Sequence, residues 1–325
     1  MERKCINWGI IGAGKIATKF ATDLQTVPNS KLYAIASRNI EKAENFKELF
    51  KANVAYGSYE NLVLDSNIDA IYVATPHSFH KAHAMLCLAH NKPVLCEKPF
   101  AMNFEEVEDM IRLSKEKQTL LMEAMWTLFL PHYRYVLDLL QKKHFGNIMT
   151  LEADFGFHTA YNEASRVFDK SVGGGSLLDI GIYPVFAALS SLGQPNSIAA
   201  QAQFFPSGAD SQCEITFHYD KAKAILKSTL LEETKTEAIF HCEKGIIKID
   251  RRFHEPTTVQ LLDKFGHTEI KTFENKTIGY SYEIEHFNQL LHDGKIESDV
   301  MTFERSRQLI STLDNIRALI GLEYS

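Results

Sequence analysis

The chain is poor in the residues that would let it be held together by covalent or metal staples. Its five cysteines (Cys5, Cys87, Cys96, Cys213 and Cys242) are odd in number and scattered over 325 residues. No two have the short spacing of a metal or redox pair, so a disulfide scaffold is excluded and reduced thiols in a reducing compartment are expected. Positive charge is not in excess: 35 Lys and Arg stand against 41 Asp and Glu, a net charge of −6. That balance argues against a general nucleic-acid binder, which must neutralise phosphates. No apolar run approaches the roughly 18 residues that a membrane span needs. Met1–Lys4 followed by Cys5–Ile11 faintly resembles a signal peptide, but the apolar run is short and is broken by Asn7 and Gly9. A cytoplasmic protein is expected. Repeats, low-complexity tracts and long linkers are missing as well.

What is present is an ordinary globular composition, 45% hydrophobic and 23% charged, at a length that suits two domains. Short apolar runs at Ile6–Ile11, Leu32–Ala36, Ala70–Ala74, Pro93–Cys96 and Thr119–Met122 alternate with helical patterns at Lys15–Leu24, Ile40–Phe50, Ser78–Ala89 and Asn103–Glu116. Asn103 and Glu106 stand at the positions of a capping box. Nearly continuous apolar strands separated by helices predict a parallel sheet covered on both faces, a doubly wound Rossmann domain over 1–122. From 123 to 325 the rhythm differs. A helix at Pro131–Gln141, a strand at Asn147–Phe157 and a helix opening at Gly173–Gly175 precede strand after strand from Ile198 to Phe273. Two helices, Tyr282–His292 and Thr302–Ile320, close the chain. This predicts an α+β domain with a large open, mainly antiparallel sheet.

Gly12-Ala13-Gly14-Lys15-Ile16-Ala17 is a G-x-G-x-x-A run between a predicted strand and a predicted helix. Gly12 permits the turn, Gly14 lets the backbone approach a pyrophosphate, and Ala17 allows close helix–strand packing, with the anion at the helix N-terminus. At the tip of the second strand, where an acid would bind the NAD ribose, the chain reads Ala36-Ser37-Arg38-Asn39. Ser37 and Arg38 suit a 2′-phosphate, so NADP is expected in preference to NAD. Cys96-Glu97-Lys98-Pro99 follows the fifth strand, where open α/β sheets bind ligands, and places Lys98 toward a cofactor cleft. In the glycine-run helix, Asp179 and Tyr183 are four apart and share a face. Trp126, Phe155 and Phe157, with Phe129, Tyr161 and Phe168, form an aromatic set that either builds core or walls a substrate. His77, His80 and His83 are spaced by three but make no convergent ligand set, so no metal is expected; His80 is read as ordering the cofactor cleft.

Together Gly12-x-Gly14-x-x-Ala17, Thr75-Pro76, Glu97-Lys98-Pro99 and the helix with Asp179 and Tyr183 resemble the Gfo/Idh/MocA oxidoreductases. Tyr183 where many members have His, Arg166-Val167-Phe168-Asp169, and Met122-Glu123-Ala124-Met125-Trp126-Thr127 are similar to the dihydrodiol dehydrogenase branch. Leu128 and His77 depart from that branch and from the wider pattern. The resemblance implies a bound nicotinamide cofactor contacted by Thr75, Pro76, His80 and Glu97 as well as the glycine loop. It implies Lys98 and Tyr183 as the catalytic pair assisted by Asp179, Arg166 near substrate, and homodimers or larger homo-oligomers packed through the open sheet. The expected activity is hydride transfer between nicotinamide and a sugar, polyol or cyclic diol, with Tyr183 as acid/base. An NAD-dependent glycosidase and a non-catalytic cofactor or sugar sensor are the alternatives.

Overall fold

The computed structural model describes residues 5–275 and 277–324. The chain divides into two compact units, Met1–Trp126 with Lys276–Arg307, and Thr127–Asn275 with Gln308–Ser325.

The first unit carries a six-stranded sheet of β1 (Ile6–Ile11), β2 (Ser30–Ala36), β3 (Val54–Tyr56), β4 (Ala70–Val73), β5 (Val94–Glu97) and β6 (Leu121–Ala124). Every pairing is parallel and the order is β3-β2-β1-β4-β5-β6. The helices between them are α1 (Lys15–Leu24), α2 (Ile40–Phe50), α3 (Tyr59–Leu64), α4 (His80–Ala89) and α5 (Phe104–Lys117). Strand order reverses between β1 and β4, the place where such sheets bind nucleotides. β3 and α3 escape the sequence pattern because three residues and six residues are too short to show a period. Asn103 caps α5 by accepting the Glu106 N–H at 2.9 Å. Glu106 reaches back to the Met102 N–H at 3.0 Å, one residue beyond the expected capping box.

The single boundary expected between 122 and 123 falls instead after Trp126, and residues 276–307 return to the first unit. Side-chain chemistry explains the return. The buried carboxylate of Asp23 on α1 accepts the N–H groups of Ile278, Gly279, Tyr280 and Ser281 and so caps α8 (Tyr280–His292). Trp8 on β1 donates to Asn288 at 3.2 Å and packs on Phe287 with ring centroids 5.1 Å apart. An amphipathic pattern says that a helix has an apolar face, not which core receives it.

The second unit contains α6 (Pro131–Gln141), β7 (Ile148–Gly156), a widened π turn over Leu177–Gly181 that runs into α7 (Ile182–Leu192), and then β8 (Ser197–Phe204), β9 (Asp210–His218), β10 (Lys223–Thr229), β11 (Ala238–Cys242), β12 (Gly245–Ile249), β13 (Val259–Asp263) and β14 (Thr268–Lys271). They form one eight-stranded sheet, β14-β13-β12-β11-β7-β10-β9-β8, in which only β7 and β10 run parallel. Helix α9 (Phe303–Ile320) begins in the first unit and ends in the second. Residues 170–192 are long and apolar enough to cross a membrane, yet their most apolar stretch is 83% buried in the fold. One face of this sheet carries the exposed Ile225 of β10, with Thr216 of β9 and Ala199 of β8 paired beside it.

Candidate functional site

The two glycines of the loop after β1 do different work. Gly12 has φ +102°, and a Cβ there would stand 2.7 Å from the Ala74 carbonyl oxygen, so the fold itself demands glycine. Gly14 is the N-cap of α1 with φ −97°, a conformation any residue adopts, and a Cβ there would meet nothing within 4 Å. No side chain caps α1. The helix N-terminus therefore presents unsatisfied N–H groups to open space that only a glycine leaves clear, which fits the pyrophosphate of a dinucleotide. Lys15 is exposed, Ile16 is half-buried, and Ala17 is fully buried as helix–strand packing requires.

At the tip of β2, Ser37 is buried and its Oγ accepts the Asn39 N–H at 3.3 Å, while Arg38 is exposed. The Arg38 guanidinium lies 5.4 Å from the centre of the Phe79 ring. Tyr59 and His83 complete its surroundings. Burial pushes the Tyr59 phenol up against the opposing pull of Arg38, and burial, then Arg38, holds His83 down at about 4. Thr75 Oγ1 lies 3.0 Å from His83 Nδ1. The strand tip carries a cation and no acid.

Lys98 follows β5 directly and is half-buried; its peptide to Pro99 is cis. Its own N–H donates to Glu97 Oε2 at 3.2 Å, and the Tyr72 hydroxyl donates to Glu97 Oε1. The two ring nitrogens of His80 lie 2.8 Å from the carbonyl oxygens of Pro99 and Thr75. Burial pushes His80 down to about 4 in spite of both carbonyls. His80, expected among the cofactor contacts, is 0% exposed and offers a ligand no surface; it is a strut between the Thr75-Pro76 turn and the Lys98-Pro99 turn. Glu97 is likewise buried behind the lysine it precedes. Trp126 is 3% exposed and stacks on Tyr280 with centroids 4.5 Å apart, so its ring is occupied by the core of the first unit.

In the second unit Tyr183 stands in the first turn of α7, just after the π turn that carries Asp179. Pro184 has no N–H to give to the α ladder, which accounts for a widened turn just before it. Asp210 fixes the start of this segment: its Oδ2 accepts the Leu177 N–H and the Ser176 hydroxyl, each at 2.7 Å. The close approach of that carboxylate, together with φ +124°, requires glycine at Gly175. Burial holds the Asp210 carboxyl above the usual carboxylate range. Arg166 pairs with Asp179 Oδ1 at 3.3 Å, which joins two of the expected site residues. Phe155, near the end of β7 and in ring contact with Phe157 just beyond it, lies against Tyr183 at 5.8 Å.

Sequence reasoning missed His254. Its ring stacks on Phe155 at 4.2 Å and lies 4.8 Å from the Tyr183 ring, and it is buried in the wall that holds the phenol. Its Nε2 is 3.8 Å from Glu255 Oε1. A lone histidine in a turn between two strands carries no motif that could reveal it.

Comparison with known proteins was made against this geometry. A family model described as GFO_IDH_MocA, "Oxidoreductase family, NAD-binding Rossmann fold", matches residues 6–125, and the GFO/IDH/MocA C-terminal domain matches residues 133–248. The trans-1,2-dihydrobenzene-1,2-diol dehydrogenase of Xenopus tropicalis is 36% identical, with 98% of each chain covered. The scyllo-inositol 2-dehydrogenase (NADP(+)) IolU of Bacillus subtilis is 31% identical over the same shares. Among solved structures, the 3-ketoreductase KijD10 of Actinomadura kijaniata, in complex with NADP and TDP-benzene, superposes with a TM-score of 0.88 at 26% identity. That match covers 97% of this chain and 98% of the other.

Proposed function

This chain belongs to the Gfo/Idh/MocA oxidoreductase family, and from that premise we propose that it is an NADP-preferring dehydrogenase or reductase of a polyol, sugar or cyclic diol, with Tyr183 as acid/base and Lys98 as the second catalytic residue. The observation that carries the reading is the station of Lys98, half-buried at the carboxyl end of β5 on a turn fastened through its own backbone. The glycine loop and the N-terminus of α1 hold the pyrophosphate, and Ser37 and Arg38 take the 2′-phosphate. When bound, the nicotinamide accepts or gives the hydride. The Tyr183 hydroxyl takes the substrate's O–H proton in oxidation and returns it in reduction. Lys98 polarises the substrate oxygen. Asp179, neutralised in part by Arg166, orients a neighbouring hydroxyl. Phe155 and Phe157 supply apolar wall. We place the protein in the cytoplasm, which suits its free cysteines. We assign pairing with a second copy to the open sheet face carrying Ile225, Thr216 and Ala199.

A panel of polyols, aldoses and cyclic diols, read at the reduced-nicotinamide absorbance with NADP and with NAD, tests the assignment. Activity with NADP on at least one of these classes is expected. Activity only with NAD would overturn the role of Arg38, and inertness across the panel would overturn the substrate class.

A further inference from the structure

The turn that presents Lys98 is tied from behind by a carboxylate for which the reaction as described has no use. Glu123, on β6, is 2% exposed. Its Oε1 accepts the Phe100 N–H at 3.0 Å, and its Oε2 has no hydrogen-bonding partner among the described residues. The three residues Lys98, Pro99 and Phe100 thus have their backbone groups engaged by Glu97, His80 and Glu123 in turn. We propose that Glu123 is a positioning residue for Lys98: its buried carboxylate fixes the turn and holds the lysine in its ammonium form. The proposal rests on the reading of Lys98 as part of the reacting site.

The groups that face Glu123 are Cys96 and Glu97 on β5, Lys98 and the Phe100 N–H on the turn, and the Ser306 hydroxyl on α9. Burial, and then the charge of Glu97, push its carboxyl up; Ser306, the Phe100 N–H and Lys98 pull it down, and the balance falls at about 7. The anion carries the cost of desolvation, which the bonds from Phe100 and Ser306 offset in part. Above that value the anion strengthens the bond from Phe100 and favours a charged Lys98; below it both effects lapse.

Trace acylation of amines, read at Lys98 by peptide mass spectrometry between pH 6 and 10, measures its free-amine fraction without any turnover. Glu123→Gln keeps an acceptor for Phe100 and cannot ionise. At pH 8, Lys98 in this variant is expected to label about threefold to tenfold faster than in the unaltered protein, as removal of a nearby opposite charge requires. The pH profile of kcat/KM should lose its acid limb near 7. Superimposable labelling curves overturn the proposal. Should the variant fail to fold, the unaltered protein decides alone. Its Lys98 curve is expected to depart from a single titration near pH 7, and a single-site curve overturns the proposal. Lys98→Ala, run alongside, separates the two ideas. Lost turnover with superimposable curves sinks the role of Glu123 only, whereas retained turnover sinks the reading of Lys98 itself.

Discussion

The two residues assigned to the chemistry are held by different physics. Lys98, in the first unit, sits on a turn whose N–H and C=O groups are claimed one by one by Glu97, His80 and Glu123. Tyr183, in the second, is framed by rings, Phe155 at 5.8 Å and His254 at 4.8 Å, on a helix that opens in a π turn fixed by Asp210. Directional bonds place a point charge, whose value depends on its electrostatic surroundings; close packing places a flat ring, whose value depends on orientation. A cation held by titratable groups inherits their pH dependence, while a phenol held by stacking inherits the tolerances of the core.

The strongest way to break this contrast is to remove the phenolic oxygen alone. Tyr183→Phe leaves the rings in place and should lower turnover by about 10²–10⁴-fold, the usual weight of general acid–base catalysis, while fluorescence titration finds cofactor affinity unchanged. Near-normal turnover would show that the ring's role is packing. A second contrast lies within the glycine loop. Gly12→Ala forces a Cβ against the Ala74 carbonyl at positive φ and should cost on the order of 2 kcal/mol of stability by thermal melting. Gly14→Ala should melt normally and lose cofactor affinity, because its Cβ fills space that the chain itself leaves empty. Equal losses of stability in the two variants would refute the division of labour.

That same loop shows how much was legible beforehand. Ile6–Ile11, Lys15–Leu24, Ile40–Phe50 and Pro131–Gln141 have the bounds that periodicity and capping predict, because in each the local pattern and the tertiary burial agree. The open antiparallel sheet was legible for the same reason. What could not be read was long-range chemistry between residues that carry no motif. Asp23 binding the start of α8 gives the C-terminal segment to the first unit, against the expectation of one boundary. Asp210 shaping Gly175, and His254 beside Tyr183, likewise join residues far apart in the chain. The spacing that singles out His80 does not show its burial or its bonds to the Thr75 and Pro99 carbonyls, which brace the two turns against each other.

The proposed NADP preference allows a smaller effect to be measured. Arg38→Ala removes a guanidinium that Phe79 orients at 5.4 Å. Affinity for NADP should fall by about 10–100-fold, the weight of one charged hydrogen bond, with NAD affinity little changed. A parallel loss for both cofactors would mean that Arg38 supports the strand tip and does not read the phosphate.

The smallest expected effect concerns whether the titratable groups behind Lys98 carry a stability cost that the packed surroundings of Tyr183 avoid. Glu283 on α8 is wholly buried, with no hydrogen-bonding partner for either oxygen among the described residues. Burial, then the charges of Glu97 and Asp23, raise its carboxyl well above the usual range. An unfolded glutamate loses its proton near 4.3. Above that pH the folded form still holds the proton that the unfolded form has released, so the native state binds more protons and stability falls as pH rises toward the folded value. Glu283→Gln cannot ionise and should flatten the decline in melting temperature between pH 5 and 8. Glu283→Met, similar in length and without polar atoms, should add about 1–2 kcal/mol at pH 8 and less at pH 5. If both variants kept the slope of the unaltered protein, the decline would have to come from the other buried carboxyls with raised values, Glu123 and Asp210, and Glu283 would drop out of the group that titrates in the first unit.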